Sequence, residues 1–176
     1  MVIELESITR DPKVVALTIA AGAIDLEIEG TTLKRDIEFE GSTERIAEKA
    51  HLRGRISTET EIECARCLEP VTKSLEIEFD DVFVDPANEP VAEEIAVAEE
   101  IAVAGADLDE SIAIDGKIDV AEVIREQIIL ALPEQTFCRA DCKGLCPKCG
   151  ENLNLIDCNC TESEIDPRWA ALKNLN

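Results

Sequence analysis

The sequence predicts an α+β fold: an antiparallel β-sheet domain, one covering helix, and a C-terminal module rich in cysteine. Three observations carry this prediction. Polar and apolar residues alternate in the N-terminal half, apolar residues recur at helical spacing between residues 120 and 132, and six of the eight cysteines lie between residues 138 and 160. Hydrophobic residues make up 45% of the 176-residue chain and aromatic residues only 3%, so we expect a core built mainly from Ile, Val, Leu and Ala.

A β-hairpin is predicted near the middle of the chain. Residues 50–62 place apolar or small side chains on even positions and mostly charged ones on odd positions, which is the period of a half-buried strand. Residues 75–84 repeat the alternation after a short turn. Cys64 and Cys67 are therefore expected at the tip of the hairpin.

Further strands are predicted upstream, at residues 23–29 and 33–40. Gly30 separates these two strands, and Gly41 is expected to end the second. The predicted segments are a β domain at 1–85, an acidic insert at 86–116, a helix at 117–133 and a cysteine module at 134–176.

The acidic insert differs in kind from its surroundings. It begins at Pro86 and carries the sequence Ala-Glu-Glu-Ile-Ala-Val twice in succession, at residues 92–97 and 98–103. A period of six matches neither a strand nor a helix, so we expect a linker or mobile excursion with at most a short helix.

The helix has clear start and stop signals. Asp119 is placed to cap its N-terminus, Glu122 lies three residues later as in a capping box, and Pro133 ends it. Its apolar residues share one face, which we expect to cover the sheet without a catalytic role. A second, short helix is predicted to begin at Asp166 and Pro167.

The eight cysteines form four close pairs, which favours metal binding over a disulfide framework. Disulfides would require an oxidising compartment, and the first residues of the chain have neither a basic flank nor an apolar run of signal-peptide length. We therefore expect a cytoplasmic protein whose thiols stay reduced and bind metal or, alternatively, do redox chemistry. No apolar stretch approaches the length of a membrane span.

The spacing of the pairs predicts two four-cysteine zinc sites and a zinc-ribbon-like C-terminal module. The run Cys146-Pro147-Lys148-Cys149-Gly150 is typical of a zinc knuckle, because the glycine permits a positive φ after the second ligand. The preferred partition joins Cys146, Cys149, Cys158 and Cys160 in one site and Cys64, Cys67, Cys138 and Cys142 in the other. An alternative set, also compatible with an iron–sulfur cluster, is Cys138, Cys142, Cys146 and Cys149.

The net charge of −22 bears on the choice of partner. No Lys or Arg lies between Lys73 and Lys117, whereas fourteen acidic residues do. Such a surface repels phosphate backbones and attracts a basic protein, although the acidic segment can equally be a solvated loop. Candidate contacts with RNA or another partner, some of which would also neutralise thiolates, are Arg45, Lys49, Arg53, Arg55, Arg66, Lys143 and Lys148.

No enzymatic activity and no small-molecule substrate are predicted. His51, the single histidine, lies on the expected outer face of a strand, and no glycine-rich phosphate loop is present. Two sites that each use four cysteines leave no open coordination position of the kind catalytic zinc requires.

Several motifs occur together in this chain. They are Glu63-Cys64-Ala65-Arg66-Cys67-Leu68-Glu69-Pro70, Asp119 to Pro133, Cys142-Lys143-Gly144-Leu145-Cys146-Pro147-Lys148-Cys149-Gly150, Asn152-Leu153-Asn154 and Asp166-Pro167-Arg168. Together they resemble the YceD family of large ribosomal subunit RNA accumulation proteins. The resemblance implies a cytoplasmic, non-enzymatic factor needed for large-subunit ribosomal RNA to be processed or to accumulate. The tandem acidic repeat departs from a typical member.

Two functional hypotheses follow. The first is a ribosome biogenesis factor that binds a basic ribosomal protein or the large-subunit precursor RNA, with the protein partner favoured by the charge. The second is a zinc-dependent, redox-sensing chaperone in which oxidation of Cys146, Cys149, Cys158 and Cys160 releases zinc and exposes an apolar surface.

Overall fold

The structure is a computed structural model that describes residues 1–47, 49–85, 110–160 and 168. The chain forms two compact units, the first made of residues 1–62 and 72–134 and the second of residues 63–71 and 135–176. The elements of the described part are β1 (Val2–Glu4), β2 (Lys13–Ile19), β3 (Thr31–Leu33), β4 (Ile37–Ile46), β5 (Lys49–Glu63), β6 (Pro70–Val84), β7 (Glu110–Ile112), β8 (Lys117–Asp119) and α1 (Val120–Ala131), with short 3-10 turns at Leu5–Ser7 and Ala21–Ala23.

The main sheet has the strand order β2-β4-β5-β6-β7, and β3 also pairs with β5. The pairs β2–β4, β3–β5 and β4–β5 are antiparallel. At the far edge β7 runs parallel to β6, with Val82 opposite Glu110. The prediction of an antiparallel sheet is therefore wrong at this edge, because a long connection returns the chain in the same direction. Strands β1 and β8 form a separate antiparallel ribbon.

The strand β7 also corrects the predicted insert. Residues 110–112, which the sequence pattern assigns to the acidic excursion of 86–116, pair with β6, and residues 113–116 lead into β8. With three residues, β7 is too short for its sequence alone to signal a strand. The tandem repeat at 92–103 and the short helix predicted at 166 and 167 lie outside the described residues.

The long hairpin of β5 and β6 is present as predicted, but the strands upstream differ. Residues 24–29 form no strand, because the Arg125 guanidinium donates to the carbonyl oxygens of Asp25 (2.8 Å) and Leu26 (3.3 Å), and Glu27 has a positive φ of 56°. The predicted strand at 33–40 is divided between β3 and β4. The strand β2 was not predicted, since its sequence Lys-Val-Val-Ala-Leu-Thr-Ile does not alternate cleanly.

Strand β4 continues through Gly41 instead of ending there, because this glycine serves packing within the sheet. Gly41 lies opposite Gly54 of β5. A Cβ on Gly41 would lie 2.3 Å from the Arg53 carbonyl oxygen and 2.6 Å from the Phe39 ring, and one on Gly54 would lie 2.5 Å from the same ring. The two glycines therefore leave room for the Phe39 ring over the paired strands.

The helix α1 occupies Val120–Ala131 of the predicted segment 117–133, whose residues 117–119 instead form β8. Its start is capped by Asp119, whose carboxylate accepts a hydrogen bond of 3.0 Å from the Ala121 amide. The apolar face of α1 joins the inner sheet residues and the 3-10 turn in one cluster, whose buried members include Leu5, Ile37, Phe39, Leu52, Ile56, Phe83, Ile118, Val120, Val123, Ile124 and Ile128. Within the described residues, no helix is long and apolar enough to cross a bilayer.

Candidate metal centres

The first cysteine cluster is built on the turn between β5 and β6. The turn is closed by hydrogen bonds from the Cys64 amide to the Glu69 carbonyl and from the Leu68 amide to the Cys64 carbonyl, both 2.9 Å. Ala65 N donates to Thr136 O at 2.8 Å, which holds the segment leading to Cys138 beside the turn. Backbone pairing thus brings two cysteine pairs together although they are far apart in the sequence.

The four sulfurs of this cluster have the spacing of a tetrahedral metal site. The Sγ atoms of Cys64 and Cys142 are 3.9 Å apart, those of Cys67 and Cys138 are 3.6 Å apart, and all four lie within 4.8 Å of one another. Four sulfurs at ~2.3 Å from a tetrahedral zinc ion would be roughly 3.8 Å apart. The donor set and its dimensions therefore fit Zn²⁺.

The second cluster forms within a single loop. Cys146 N donates to Glu151 O at 2.8 Å, and Gly150 N donates to Cys146 O at 2.9 Å, with a φ of 75° at Gly150 that favours glycine. The sulfurs of Cys146, Cys149, Cys158 and Cys160 lie within 4.8 Å of one another. Its four soft donors suit the same ion as the first cluster.

The two clusters differ in exposure. In the first, Cys64, Cys67 and Cys142 are buried, and Val71 and Leu145 pack against them. In the second only Cys146 is buried, while Cys149 and Cys160 are exposed. A metal in the second cluster is therefore more accessible to chelators and oxidants.

Backbone amides of the turns select which thiols ionise first. Burial opposes ionisation of Cys64, but amides of Cys138, Arg66 and Cys67 lower its pKa to about 6. Amides of Cys149 and Lys148 likewise lower the pKa of Cys146 to about 6. Such amide donors stabilise thiolates, the form in which cysteine binds a metal.

One thiol in each cluster resists ionisation strongly. Burial and contact with Cys67 raise the pKa of Cys138 to about 12, and contact with Cys149 together with burial raises that of Cys160 to about 12. Four thiolates this close repel one another, and a divalent cation removes that repulsion. Metal binding to either cluster is therefore coupled to the release of protons.

Asn154 supports the first cluster, and the sequence patterns did not identify it as a site residue. Its Nδ2 donates to the Cys142 Sγ at 3.2 Å, and its Oδ1 accepts a hydrogen bond of 2.8 Å from the Lys143 amide. The available signal was the pair Asn152 and Asn154 in the loop between the last two cysteine pairs. Such a donor orients a ligand sulfur and stabilises its charge.

The grouping of the cysteines coincides with the preferred partition. The alternative set of Cys138, Cys142, Cys146 and Cys149 is not brought together as one cluster, since its members divide between two groups of four. Each group offers four sulfur ligands, which would complete a tetrahedral zinc site without an open position. Such sites stabilise a fold and do not activate a water molecule.

The basic residues proposed on the sheet mostly face carboxylates. Arg45 donates to the backbone oxygens of Leu5 and Ile8, and Lys49 pairs with Glu110. On the outer face of the sheet, the cross-strand pairs are Arg53 with Glu44 at 2.7 Å, Arg55 with Glu78 at 3.1 Å, and His51 with Asp80 at 3.0 Å. These cations neutralise their own surface, which weakens the case for a phosphate-binding strip.

The basic residues near the cysteines have different surroundings. Arg66 lies 4.6 Å from the centroid of the Phe137 ring and donates to the Cys142 carbonyl at 3.0 Å, so it braces the first cluster. Lys143 lies 3.9 Å from the Asp157 carboxylate. Lys148 is exposed and has no ion pair among the described residues.

Comparison with known proteins shows a family likeness that includes both clusters. The family described as "Large ribosomal RNA subunit accumulation protein YceD" matches residues 52–176. An uncharacterized protein of Mycobacterium tuberculosis is 31% identical over 171 residues, covering 96% of this chain and 72% of the relative. The Arabidopsis thaliana protein named "Large ribosomal RNA subunit accumulation protein YCED homolog 1, chloroplastic" is 39% identical over 59 residues, covering 34% of this chain and 18% of that protein.

An uncharacterized protein of Bacillus subtilis is 28% identical over 121 residues, which cover 68% of this chain and 62% of that protein. No solved structure matches the chain significantly.

Proposed function

The chain belongs to the YceD family of large ribosomal RNA subunit accumulation proteins, and on that premise we propose that it is a non-enzymatic ribosome biogenesis factor. In this proposal it supports the processing or accumulation of large-subunit ribosomal RNA in the cytoplasm, where thiols stay reduced. The match over residues 52–176 is the observation that carries the proposal.

The cysteine clusters have a structural role in this proposal. Cys64, Cys67, Cys138 and Cys142 would hold one Zn²⁺, and Cys146, Cys149, Cys158 and Cys160 a second, as the sulfur spacings support. A bound zinc ion would cross-link loops that have little apolar core of their own, and its binding would stabilise their fold. Four sulfur ligands to each ion support a non-enzymatic function.

The direct partner in this proposal is a basic ribosomal protein in preference to the precursor RNA. The net charge of −22 opposes binding to a polyanion and favours association with a cationic protein. The pairing of Arg53 with Glu44 and of Arg55 with Glu78 supports the same choice, since these cations already have carboxylate partners. Lys143 and Lys148 stay the candidates for any RNA contact.

Affinity capture of the full chain, with and without ribonuclease, tests this function. We expect large-subunit precursor components to be captured, and basic ribosomal proteins to persist after ribonuclease treatment. Loss of every protein together with the RNA would favour direct RNA binding. Depletion of the protein provides a separate readout: an unchanged ratio of large-subunit to small-subunit ribosomal RNA would contradict a biogenesis role.

A redox-sensing chaperone is the second candidate, and the exposure of Cys149 and Cys160 favours it. Peroxide would oxidise two thiolates to a disulfide, reduce itself to hydroxide, and release the ion of the second cluster. Peroxide treatment followed by zinc measurement and an assay for suppressed aggregation distinguishes the two candidates. Unchanged zinc content would exclude the chaperone.

A further inference from the structure

An open groove lies between β7 and the first two turns of α1, with a volume of about 390 Å³. Its floor is made by the buried side chains of Phe83, Ile118 and Val123. Apolar side chains also line its walls: Ile112 is 66% exposed and Ile114 is 78% exposed. Together these residues place apolar side chains both on the buried floor and on the exposed walls of the groove.

Carboxylates border the groove on the side of the helix. Asp119, Glu122 and Glu126 follow one another along the first turns of α1, and all three line the groove. Lys117 is the one basic residue among the described residues that line it. The groove therefore combines an apolar floor with a negative rim.

The charge of this rim is only partly compensated. Asp119 lies 3.8 Å from the N-terminal ammonium and Glu122 pairs with Arg125 at 3.1 Å, whereas no basic side chain of the described residues forms an ion pair with Glu126. Burial, followed by repulsion from Glu122 and Asp81, raises the pKa of the Glu126 carboxyl. A cation supplied from outside the groove would relieve this repulsion.

We propose that the groove between β7 and α1 binds a basic amphipathic polypeptide segment. Apolar side chains of this segment would contact Ile112 and Ile114, and a Lys or Arg side chain would pair with Glu126. This inference rests on the proposed function and names the surface that the basic partner uses. Apolar contacts supply affinity, whereas the carboxylates select for positive charge.

Charge argues against two other occupants. Residues 86–109 of the chain itself carry seven carboxylates and no Lys or Arg, so the acidic rim repels them. A second copy would bring another net charge of −22. A cationic segment is the occupant whose charge complements the rim.

Titration of the full chain with three peptides tests the proposal. The probes are a short amphipathic peptide of leucine and lysine, a lysine peptide without leucine, and a peptide with the sequence of residues 86–109. We expect the leucine–lysine peptide to bind most tightly and to shift the methyl NMR signals of Ile112, Ile114 and Ile118. Equal binding of the leucine-free peptide, or tighter binding of the acidic peptide, would overturn the proposal.

Matched variants locate the binding. We expect Ile114→Ser and Glu126→Lys each to lower the affinity for the leucine–lysine peptide about tenfold. Leu130→Ser removes a leucine that is 76% exposed and lies outside the groove, and Glu29→Lys makes the same charge change on an exposed residue elsewhere. Both controls should bind within about twofold of the unmodified chain. Equal weakening by a variant and its control would refute the assignment to this groove.

The same variants separate this inference from the proposed function. If the unmodified chain and Ile114→Ser capture ribosomal components equally, the groove is not the docking surface while the biogenesis role stands. If the unmodified chain captures no ribosomal components, the biogenesis role fails whatever the peptides do.

Discussion

The side-chain amide of Asn154 donates a hydrogen bond of 3.2 Å to the sulfur of Cys142. Asn154 lies in the loop between Cys149 and Cys158, whereas Cys142 belongs to the first cluster. The loop that carries the second cluster therefore also supports a ligand of the first. The same side chain accepts from the Lys143 amide at 2.8 Å, so its orientation is determined from both ends.

Replacing Asn154 tests this support. We expect Asn154→Ala to lower the zinc affinity of the first cluster by about tenfold, since donors to ligand atoms typically contribute 10-fold to 100-fold. Competition with a chromophoric chelator measures this affinity. Asn159→Ala, which truncates an exposed asparagine between Cys158 and Cys160, is the control and should leave it unchanged. Similar losses in both variants would mean that the hydrogen bond to Cys142 is not the cause.

The grouping of cysteines predicts metal content. We expect two zinc ions per chain, one in the double variant Cys64→Ser/Cys67→Ser, one in Cys146→Ser/Cys149→Ser, and none in the variant that combines all four changes. Atomic emission analysis of purified protein measures this content. Under the alternative set, Cys64→Ser/Cys67→Ser would leave the ion bound by Cys138, Cys142, Cys146 and Cys149 in place while Cys146→Ser/Cys149→Ser removed it. Full metal content in the first double variant would therefore contradict the grouping.

The close packing around Gly41 and Gly54 in the main sheet predicts that larger residues at these positions destabilise the fold. Gly41→Ala would place a Cβ 2.3 Å from the Arg53 carbonyl oxygen, and Gly54→Ala would place one 2.5 Å from the Phe39 ring. We expect each change to lower the free energy of unfolding by roughly 1–3 kcal/mol, the usual cost of overpacking. Urea denaturation measures it.

Gly22→Ala is the matched control for these two variants. Nothing lies within 4 Å of a Cβ at Gly22, and its φ is not positive, so its free energy of unfolding should change by less than about 0.5 kcal/mol. A loss at Gly22 as large as at Gly41 would show that contact with Phe39 and Arg53 is not the cause.

The raised pKa of the Asp81 carboxyl predicts that the stability of the fold depends on pH. Burial raises the pKa of this carboxyl, and the hydrogen bond from Gln127 offsets this only in part. The folded chain therefore holds the proton more tightly than the unfolded chain, so ionised Asp81 destabilises the fold at neutral pH. This cost disappears as the pH falls through the raised pKa towards the unfolded value of about 3.9.

We expect Asp81→Asn to increase the free energy of unfolding at neutral pH, because asparagine retains an oxygen that accepts from Gln127. The increase should shrink as the pH falls towards 4. Urea denaturation of both proteins across the acidic range measures the difference. If the stabilisation by Asp81→Asn instead grew as the pH fell, the pKa of Asp81 would be lowered in the folded chain, which would contradict the prediction.

Regular patterns explain which parts of the fold were predictable. The hairpin of β5 and β6 follows from period-two alternation, and α1 follows from its apolar spacing and the Asp119 cap. Strand β7 has only three residues and depends on pairing with β6, so its sequence carries little signal of its own. Gly41 was misassigned because a glycine that makes room for a ring has the same sequence signature as one that ends a strand.

The sequence by itself determined the chemistry available to the protein: eight thiols in four close pairs, a net charge of −22, and motifs that identify the family. Tertiary structure decided which sulfurs meet. Cys64 and Cys142 are 78 positions apart, and their approach depends on the hairpin turn and on backbone bonds from Ala65 and Leu145. The tertiary structure also decided that Arg53 and Arg55 face carboxylates. The neighbours of each side chain depend on the register between strands, and local sequence spacing does not encode that register.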